Sequence, residues 1–218
     1  MLDLHCHSFL SDGELLPAEL LRRVEVLGYR YLAITDHAGP SNLGWVVEAV
    51  ASAASQLDGH FKCKLIPGVE LTHVPPSLIG PLAQQARSLG AIWVVAHGET
   101  VVEPVVEGTN QAALEAEIDL LAHPGLLTEE QAELAVRRGI ALELTARAGH
   151  CLTNGRVARL AKEAGASLLV NSDAHAPTDL MSEAMARSVA LGAGLSPEEY
   201  QTLQTKALAL AAKKAASI

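Results

Sequence analysis

One rhythm constrains this chain more than anything else in it. A short apolar run ends in a histidine or a carboxylate, and the pattern repeats seven times. The terminal residues are His5, His37, Glu70, His97, His123, Glu143 and Asp173, spaced 20 to 33 residues apart. A strand with its crossover helix needs about 30 residues, so each interval holds one βα unit. The runs predict strands at 1–5, 31–35, 64–70, 91–96, 118–122, 140–144 and 167–171. Pro67 inside the third run suggests a bulge or an edge, because proline cannot donate to a ladder.

The segments between the runs read as helices. Pro17 suits a first helical turn, Leu20, Leu21, Val24 and Leu27 form an apolar stripe, and Gly28 fits the helix end. Helical patterns follow at 45–57, 77–89, 110–116, 128–138 and 153–164. Thr128 and Gln131 have the spacing of a capping box. Two more helices close the chain. The last, about 196–216, opens with Ser196, Pro197, Glu198 and Glu199: a capping serine, a first-turn proline and acids at the positive end of the dipole. Residues 98–110 are the longest irregular stretch and are expected to fold over a site.

Alternating strands and helices argue for a parallel α/β sheet. With 218 residues the chain is short for an eight-unit barrel, typically about 250. The expectation is therefore a distorted (βα)7 TIM-like barrel, one domain over 1–218, with its site at the C-terminal face of the strands. An open doubly wound sheet is the alternative, but it would gather polar residues mainly at its switch point. Here they recur at nearly every strand end.

Hydrophobic residues at 49% and charged residues at 19% supply a substantial core. Aromatics are only 3%, so alanine, leucine and valine must pack it. A net charge of −9 disfavours a surface that grips nucleic acid, yet bound cations would still admit a phosphate substrate. No apolar run reaches a membrane span, and the polar residues near the start leave no room for a leader. Cys6, Cys63 and Cys151 form no paired framework. A reducing, cytoplasmic setting is expected.

Chemistry concentrates in four pieces: His5-Cys6-His7, Ser11-Asp12-Gly13, Thr35-Asp36-His37 and Ser172-Asp173-Ala174-His175. On a strand, residues two apart face the same way. His5 with His7, and Asp173 with His175, would each point together. A nest of buried imidazoles and carboxylates is costly without compensation, and divalent cations supply it. An HxH alone is weak evidence, His37 alone could cap a helix, and His97 alone could be a satisfied core histidine. The joint pattern is what carries weight.

The series HxH, SDG, TDH, PGVE, AHGE, AHPG and SDAH, running from residue 1 to about 180, resembles the PHP family (polymerase and histidinol phosphatase). No polymerase region accompanies the motifs, so the resemblance is to the small stand-alone phosphoesterases. It implies a distorted seven-stranded barrel with up to three divalent metal ions (Zn, Mn or Fe). By position, it assigns His5, His7, Glu70 and Asp173 to a first ion. Glu70, His97 and His123 would hold a second, and Asp12, His37 and His175 a third. Some members have a histidine where this chain has Asp12, a harder ligand that tilts the third site toward manganese or iron. Asp12, His37, Asp173 and His175 are the expected catalytic group. Ions about 3.5–4 Å apart would share and acidify a water for in-line attack on phosphorus.

Other residues near the strand ends are candidates of a second kind. Arg147 could clamp a phosphate, and His150 and His73 could contact substrate or protonate a leaving group. Glu143 could orient a ligand, and Asp36 is expected to accept from a ligand imidazole. Glu99 and Glu103 read as a solvated loop face, His60 as exposed, and Cys6 as packing. The leading functional reading is a metal-dependent phosphatase of small phosphorylated substrates, histidinol-phosphatase-like or acting on nucleotides or sugars. Alternatives are a phosphodiesterase or exonuclease, a non-enzymatic scaffold barrel, and a metal amidohydrolase. Scarce aromatics and the acidic balance count against nucleic acid, the intact ligand types against a scaffold. The absence of a lysine-type bridging ligand counts against an amidohydrolase.

Overall fold

A computed structural model describes residues 1–218. Its strands are β1 (Leu2–Cys6), β2 (Tyr31–Ile34), β3 (His37–Ala38), β4 (Lys64–Leu71), β5 (Trp93–His97), β6 (Leu120–Ala122), β7 (Ala141–Thr145) and β8 (Leu168–Asn171). Helices are α1 (Pro17–Val26), α2 (Leu43–Leu57), α3 (Pro76–Ser88), α4 (Thr109–Glu115), α5 (Glu129–Arg138), α6 (Asn154–Ala164), α7 (Glu183–Gly192) and α8 (Pro197–Ala215). All strand pairs are parallel, in the order β1-β2-β4-β5-β6-β7-β8, with β3 also on β4. The short β3 continues the position of β2, so seven positions surround the axis, as expected for the barrel and not for the open sheet.

The ring closes where β1 meets β8. Cys6 bridges Ala174 in parallel, His7 N–H donates to the Ala174 carbonyl at 2.8 Å, and Asp173 N–H donates to the His5 carbonyl at 3.0 Å. Side chains lace the rest of this seam. Asn171 Oδ1 accepts from Leu4 N–H at 3.0 Å, and Asp3 Oδ2 accepts from Ser172 N–H at 3.0 Å. Burial pushes the Asp3 carboxyl up to about 6.

Two apolar layers follow from strand alternation. Leu2, Leu4, Ala33, Ile66, Trp93, Val95, Leu120, Ala122, Ala141 and Leu169 share one cluster with Ala207, Ala211 and Ala215 of α8. That alanine stripe, at four-residue spacing, lets the helix approach closely and plug the barrel floor. The opposite strand faces pack under the surrounding helices in the other two clusters. The capping box read at Thr128 and Gln131 is formed, and the expected capping serine, Ser196, forms a second box with Glu199.

Two local departures from regularity matter for the site. Between the pairs Asp3↔Leu32 and Cys6↔Ile34, β1 uses one residue more than β2. This bulge turns a strand whose lower residues, Leu2 and Leu4, pack the interior into one that delivers His5 and His7 to its mouth while Cys6 packs outward. Pro67 lies on an interior strand, not an edge. It pairs with Ile34 at the last rung before β2 breaks off, and the ladder resumes where Glu70 N–H donates to the Asp36 carbonyl. The pause costs little because proline had no hydrogen to give.

Residues 98–108 form a strap over the barrel mouth, tied at its ends. Glu99 N–H donates to Asn110 Oδ1 at 2.9 Å, Asn110 N–H returns a bond to Glu99 Oε1 at 2.8 Å, and Asn110 Nδ2 donates to the Pro124 carbonyl at 2.8 Å. The strap starts at Gly98 because an added Cβ there would lie 2.3 Å from the Ala122 carbonyl oxygen.

Candidate metal centre

The C-terminal ends of the strands converge on one polar cavity. Lined by Asp12, His37, Thr72, His73, His97, Glu103, His123, Arg147, His150, Asp173 and His175, it encloses about 270 Å3 and has no hydrophobic wall. Beneath it, His5, His7 and Glu70 are wholly buried. All nine ligand-type residues read from the motifs meet here.

Glu70 is the hub. Its Oε1 lies 3.3 Å from His5 Nε2 and 3.7 Å from His123 Nε2; its Oε2 lies 2.6 Å from His37 Nδ1 and 3.9 Å from His7 Nε2. Asp173 faces it, with Oδ1 at 3.2 Å from His7 Nε2 and 3.8 Å from His5 Nε2, and Oδ2 at 3.6 Å from His123 Nε2. Asp12, His37 and His175 form the outer corner. Asp12 Oδ1 is 3.5 Å from His37 Nε2 and 3.3 Å from His175 Nε2, and those two nitrogens are 3.4 Å apart.

Backbone geometry reinforces the delivery. His123 and Asp173 follow β6 and β8 with φ of 27° and 54°, left-handed values that non-glycine residues rarely adopt. Such strain persists only where the surroundings hold it, often at functional sites. A standard turn at either position would redirect the side chain.

Electrostatics split the cluster. Burial and the neighbouring His37 hold His7 well below the ordinary imidazole range, and burial with His97 does the same to His123. For His5, burial pulls downward, but the Glu143, Asp173 and Glu70 carboxylates outweigh it and raise the ring well above that range. Burial lifts Asp173 to about 7. Glu70 is also driven upward by burial, but His5 and His37 overcome it and hold the carboxyl well below normal.

These residues fit divalent cations. Four ligand-type groupings within the nest have donor atoms lying within 4.8 Å of one another: His7–Asp12–His37–His175, His5–His123–Asp173, His5–His7–Glu70 and Glu70–His97–His123. Buried polar atoms normally find a partner. Yet His5 Nε2, His7 Nδ1 and Nε2, Glu70 Oε1 and His123 Nδ1 are buried with no hydrogen-bond partner. A buried gathering of unsatisfied nitrogens and a carboxylate oxygen is what a cation site presents.

The supporting residues are now specific. Glu143 accepts from His5 Nδ1 at 2.8 Å, from His123 N–H at 3.0 Å and from Asn171 Nδ2 at 2.9 Å, so it orients a ligand. Asp36 does not accept from an imidazole as expected. It takes Ser8 N–H and the Ser8 hydroxyl at 2.7 Å each and the Ser11 hydroxyl at 2.6 Å, which folds the loop carrying Asp12. The signal was available in Ser8 and Ser11, the one before the SDG motif and the other within it. Gly13 is required in that loop, since a Cβ would lie 2.4 Å from the His7 carbonyl oxygen.

Arg147 lies on the rim. Its Nη1 donates to the Asp173 carbonyl at 3.3 Å and sits 3.6 Å from Asp179 Oδ2, and its Nε is 3.8 Å from Asp173 Oδ2. His150 is buried in the wall, with burial depressing its imidazole, and His73 is at the mouth. Cys6 is packed away as expected, with Sγ 3.5 Å from the Ser172 hydroxyl, and His60 is exposed. Glu99 is occupied in the strap's tie to Asn110. Glu103, expected on a solvated face, instead turns inward and touches three imidazoles. Nothing in its sequence neighbourhood marks that turn.

Comparison with known proteins places this geometry among relatives. The chain is 48% identical over 201 residues to "Uncharacterized protein MJ1295" of Methanocaldococcus jannaschii, covering 91% of this chain and 92% of that one. It is 28% identical over 192 residues to "DNA polymerase/3'-5' exonuclease PolX" of Bacillus subtilis, covering 79% of this chain but only 34% of that protein. Among solved structures, a Xaa-Pro dipeptidase shares the fold with a TM-score of 0.58 and 11% identity, covering 89% of this chain and 70% of its own. No family model matches the chain.

Proposed function

The chain belongs to the family of the Methanocaldococcus jannaschii protein MJ1295, and for this member of it we propose a metal-dependent hydrolase of small phosphomonoesters, of the PHP type. The observation that carries the reading is the convergence of nine imidazole and carboxylate side chains, several with orphaned buried atoms, in one cavity without an apolar wall. His5, His7, Glu70 and Asp173 would hold one cation, Glu70, His97 and His123 a second, and Asp12, His37 and His175 a third. When bound, such ions supply charge to neutralise phosphoryl oxygens and to acidify a water near neutral pH.

The chain's own residues do the rest. Arg147 offers guanidinium hydrogens to a phosphoryl oxygen at the rim and is held in place by Asp173 and Asp179. His150 stands in the wall outside the nine-residue set, where it can contact the substrate. Glu143 keeps the His5 ring in one orientation. The cavity of about 270 Å3 suits a phosphoryl group with a small portion of its ester. A second space of about 780 Å3, sharing Arg147, His150 and Asp173 and walled by Val102, Leu180 and Met181, has room for the remainder.

A second reading, phosphodiester cleavage, draws on the likeness to part of a polymerase with 3'-5' exonuclease activity. The net charge of −9 favours the monoester reading, since a nucleic-acid strand wants a basic track. Purified protein assayed on p-nitrophenyl phosphate, bis(p-nitrophenyl) phosphate and a single-stranded oligonucleotide separates the two. Monoester turnover that is lost on chelation and restored by manganese or zinc is the expected result. Full turnover after metal stripping would overturn the mechanism, and turnover of the oligonucleotide alone would replace the first reading with the second.

A further inference from the structure

We propose that Glu103, on the strap between β5 and α4, is an additional ligand of the cation assigned to Glu70, His97 and His123, and that His73 and His150 hold its carboxylate in position. The inference rests on the metal-centre reading and extends its ligand set to a residue outside the nine motif positions.

His97 has one ring nitrogen free to bind. Its Nδ1 lies 3.1 Å from the Gly98 carbonyl, so that nitrogen carries the hydrogen and Nε2 is left with a lone pair. Glu103 Oε2 lies 3.1 Å from that Nε2. Two donor atoms on one tetrahedral ion, each about 2.0–2.1 Å from it, are separated by roughly 3.3 Å. The pair is therefore at the spacing of neighbouring ligands. His97 also belongs to the grouping with Glu70 and His123, and it is the shared corner of a further grouping with His73 and Glu103. One lone pair cannot serve two ions, so the two groupings meet at a single position.

The carboxylate is fixed from both sides. Oε2 is 3.0 Å from His73 Nε2, and Oε1 is 3.3 Å from His150 Nε2. His73 adopts φ of 50°, a left-handed conformation that is unfavourable for a histidine and that places its ring against His97, with centroids 4.9 Å apart. A solvated loop carboxylate would need neither partner. The tie between Glu99 and Asn110 at the strap's ends limits how far Glu103 can swing. Imidazoles that orient a ligand carboxylate are a usual companion of metal sites.

The test uses the full chain, stripped by chelation and titrated with zinc against a chromophoric chelator, with bound metal counted by mass spectrometry. Wild type, Glu103→Gln, Glu103→Asp, His73→Gln and Glu107→Gln are compared. Glu107 is exposed in the same strap, so its variant removes the same charge without touching the histidines. The expected result is that Glu103→Gln weakens one zinc-binding step about 10- to 100-fold, leaves the others unchanged, and is partly rescued by Glu103→Asp. His73→Gln should weaken the same step less, and Glu107→Gln should match wild type. If Glu103→Gln and wild type give the same isotherm, Glu103 is not a ligand and the inference falls while the metal centre stands. If Glu103→Gln and Glu107→Gln weaken binding equally, the effect is strap charge and the inference falls as well. If wild type itself binds no zinc or manganese, the metal-centre reading fails and takes the inference with it.

Discussion

Glu143 Oε1 accepts from His5 Nδ1 at 2.8 Å while its Oε2 accepts from the His123 backbone N–H at 3.0 Å. One carboxylate thus fixes a ring from β1 and the turn after β6. It commits the Nδ1 hydrogen of His5 and leaves Nε2 facing Glu70, free for a cation. Glu143→Gln keeps the shape but can offer only one oxygen to these two donors, and its amide hydrogens face the same ring. Metal affinity should fall about 10- to 100-fold, read by chelator competition on the purified variant. An unchanged affinity would show that His5 is oriented by something else.

Asp173 combines a left-handed backbone with contacts to His5, His7 and His123. Asparagine tolerates the same conformation, so Asp173→Asn tests the charge with little backbone cost. The variant should fold, lose bound metal, and lose at least about 100-fold in phosphomonoester turnover, the scale of removing a preorganised charge in an active site. Metal content and rate are measured on the same sample. Retention of both would remove Asp173 from the centre.

The sequence made the ligands legible because most lie at or just past a strand end at a βα interval, and strand alternation sends residues two apart to the same side. The ring of parallel strands was legible for the same reason. What escaped it were features set by packing between distant segments. The bulge in β1 is visible only against the register of β2. Pro67 suggested a bulge or an edge of its own strand, whereas it faces the end of β2 on an interior strand. Asp36 bonds serines 25 and 28 residues away, and Glu103 meets histidines from β5, from the turn after β4 and from beyond β7. Loop carboxylates look alike in sequence, and only the path of the strap separates Glu99, spent on Asn110, from Glu103.

The barrel floor offers a test of packing apart from chemistry. Ala211 is fully buried in the cluster that joins α8 to the strand interior. Adding three carbons there by Ala211→Leu must push the helix away or force strained rotamers, a cost of about 1–3 kcal/mol. Urea unfolding should show that loss with an unchanged slope, and metal affinity should stay at the wild-type level because the centre lies at the opposite end of the strands. A variant as stable as wild type would mean that α8 does not pack against the floor.

Thiol chemistry reports on the same core from another side. Cys6 and Cys63 are buried, whereas Cys151 is partly exposed. Burial first, and the Glu25 charge second, push the Cys63 thiol up to about 12. Burial with the nearby Asp3 raises Cys6 well above the ordinary thiol range. The thiolate is the reactive form, so raising the pH from 7 to 9 leaves Cys63 almost wholly protonated, with on the order of one thiolate in a thousand at the upper end. Ellman's reagent should therefore titrate one thiol per folded chain across that interval and three after denaturation. The linkage has a definite sign: these acids ionise more readily unfolded than folded, so the folded state binds more protons above about pH 9 and stability must fall as the pH rises from there toward 12. Rapid reaction of two or three thiols in the folded protein at pH 8 would contradict the packing of β1 and β4 against α1 and α2.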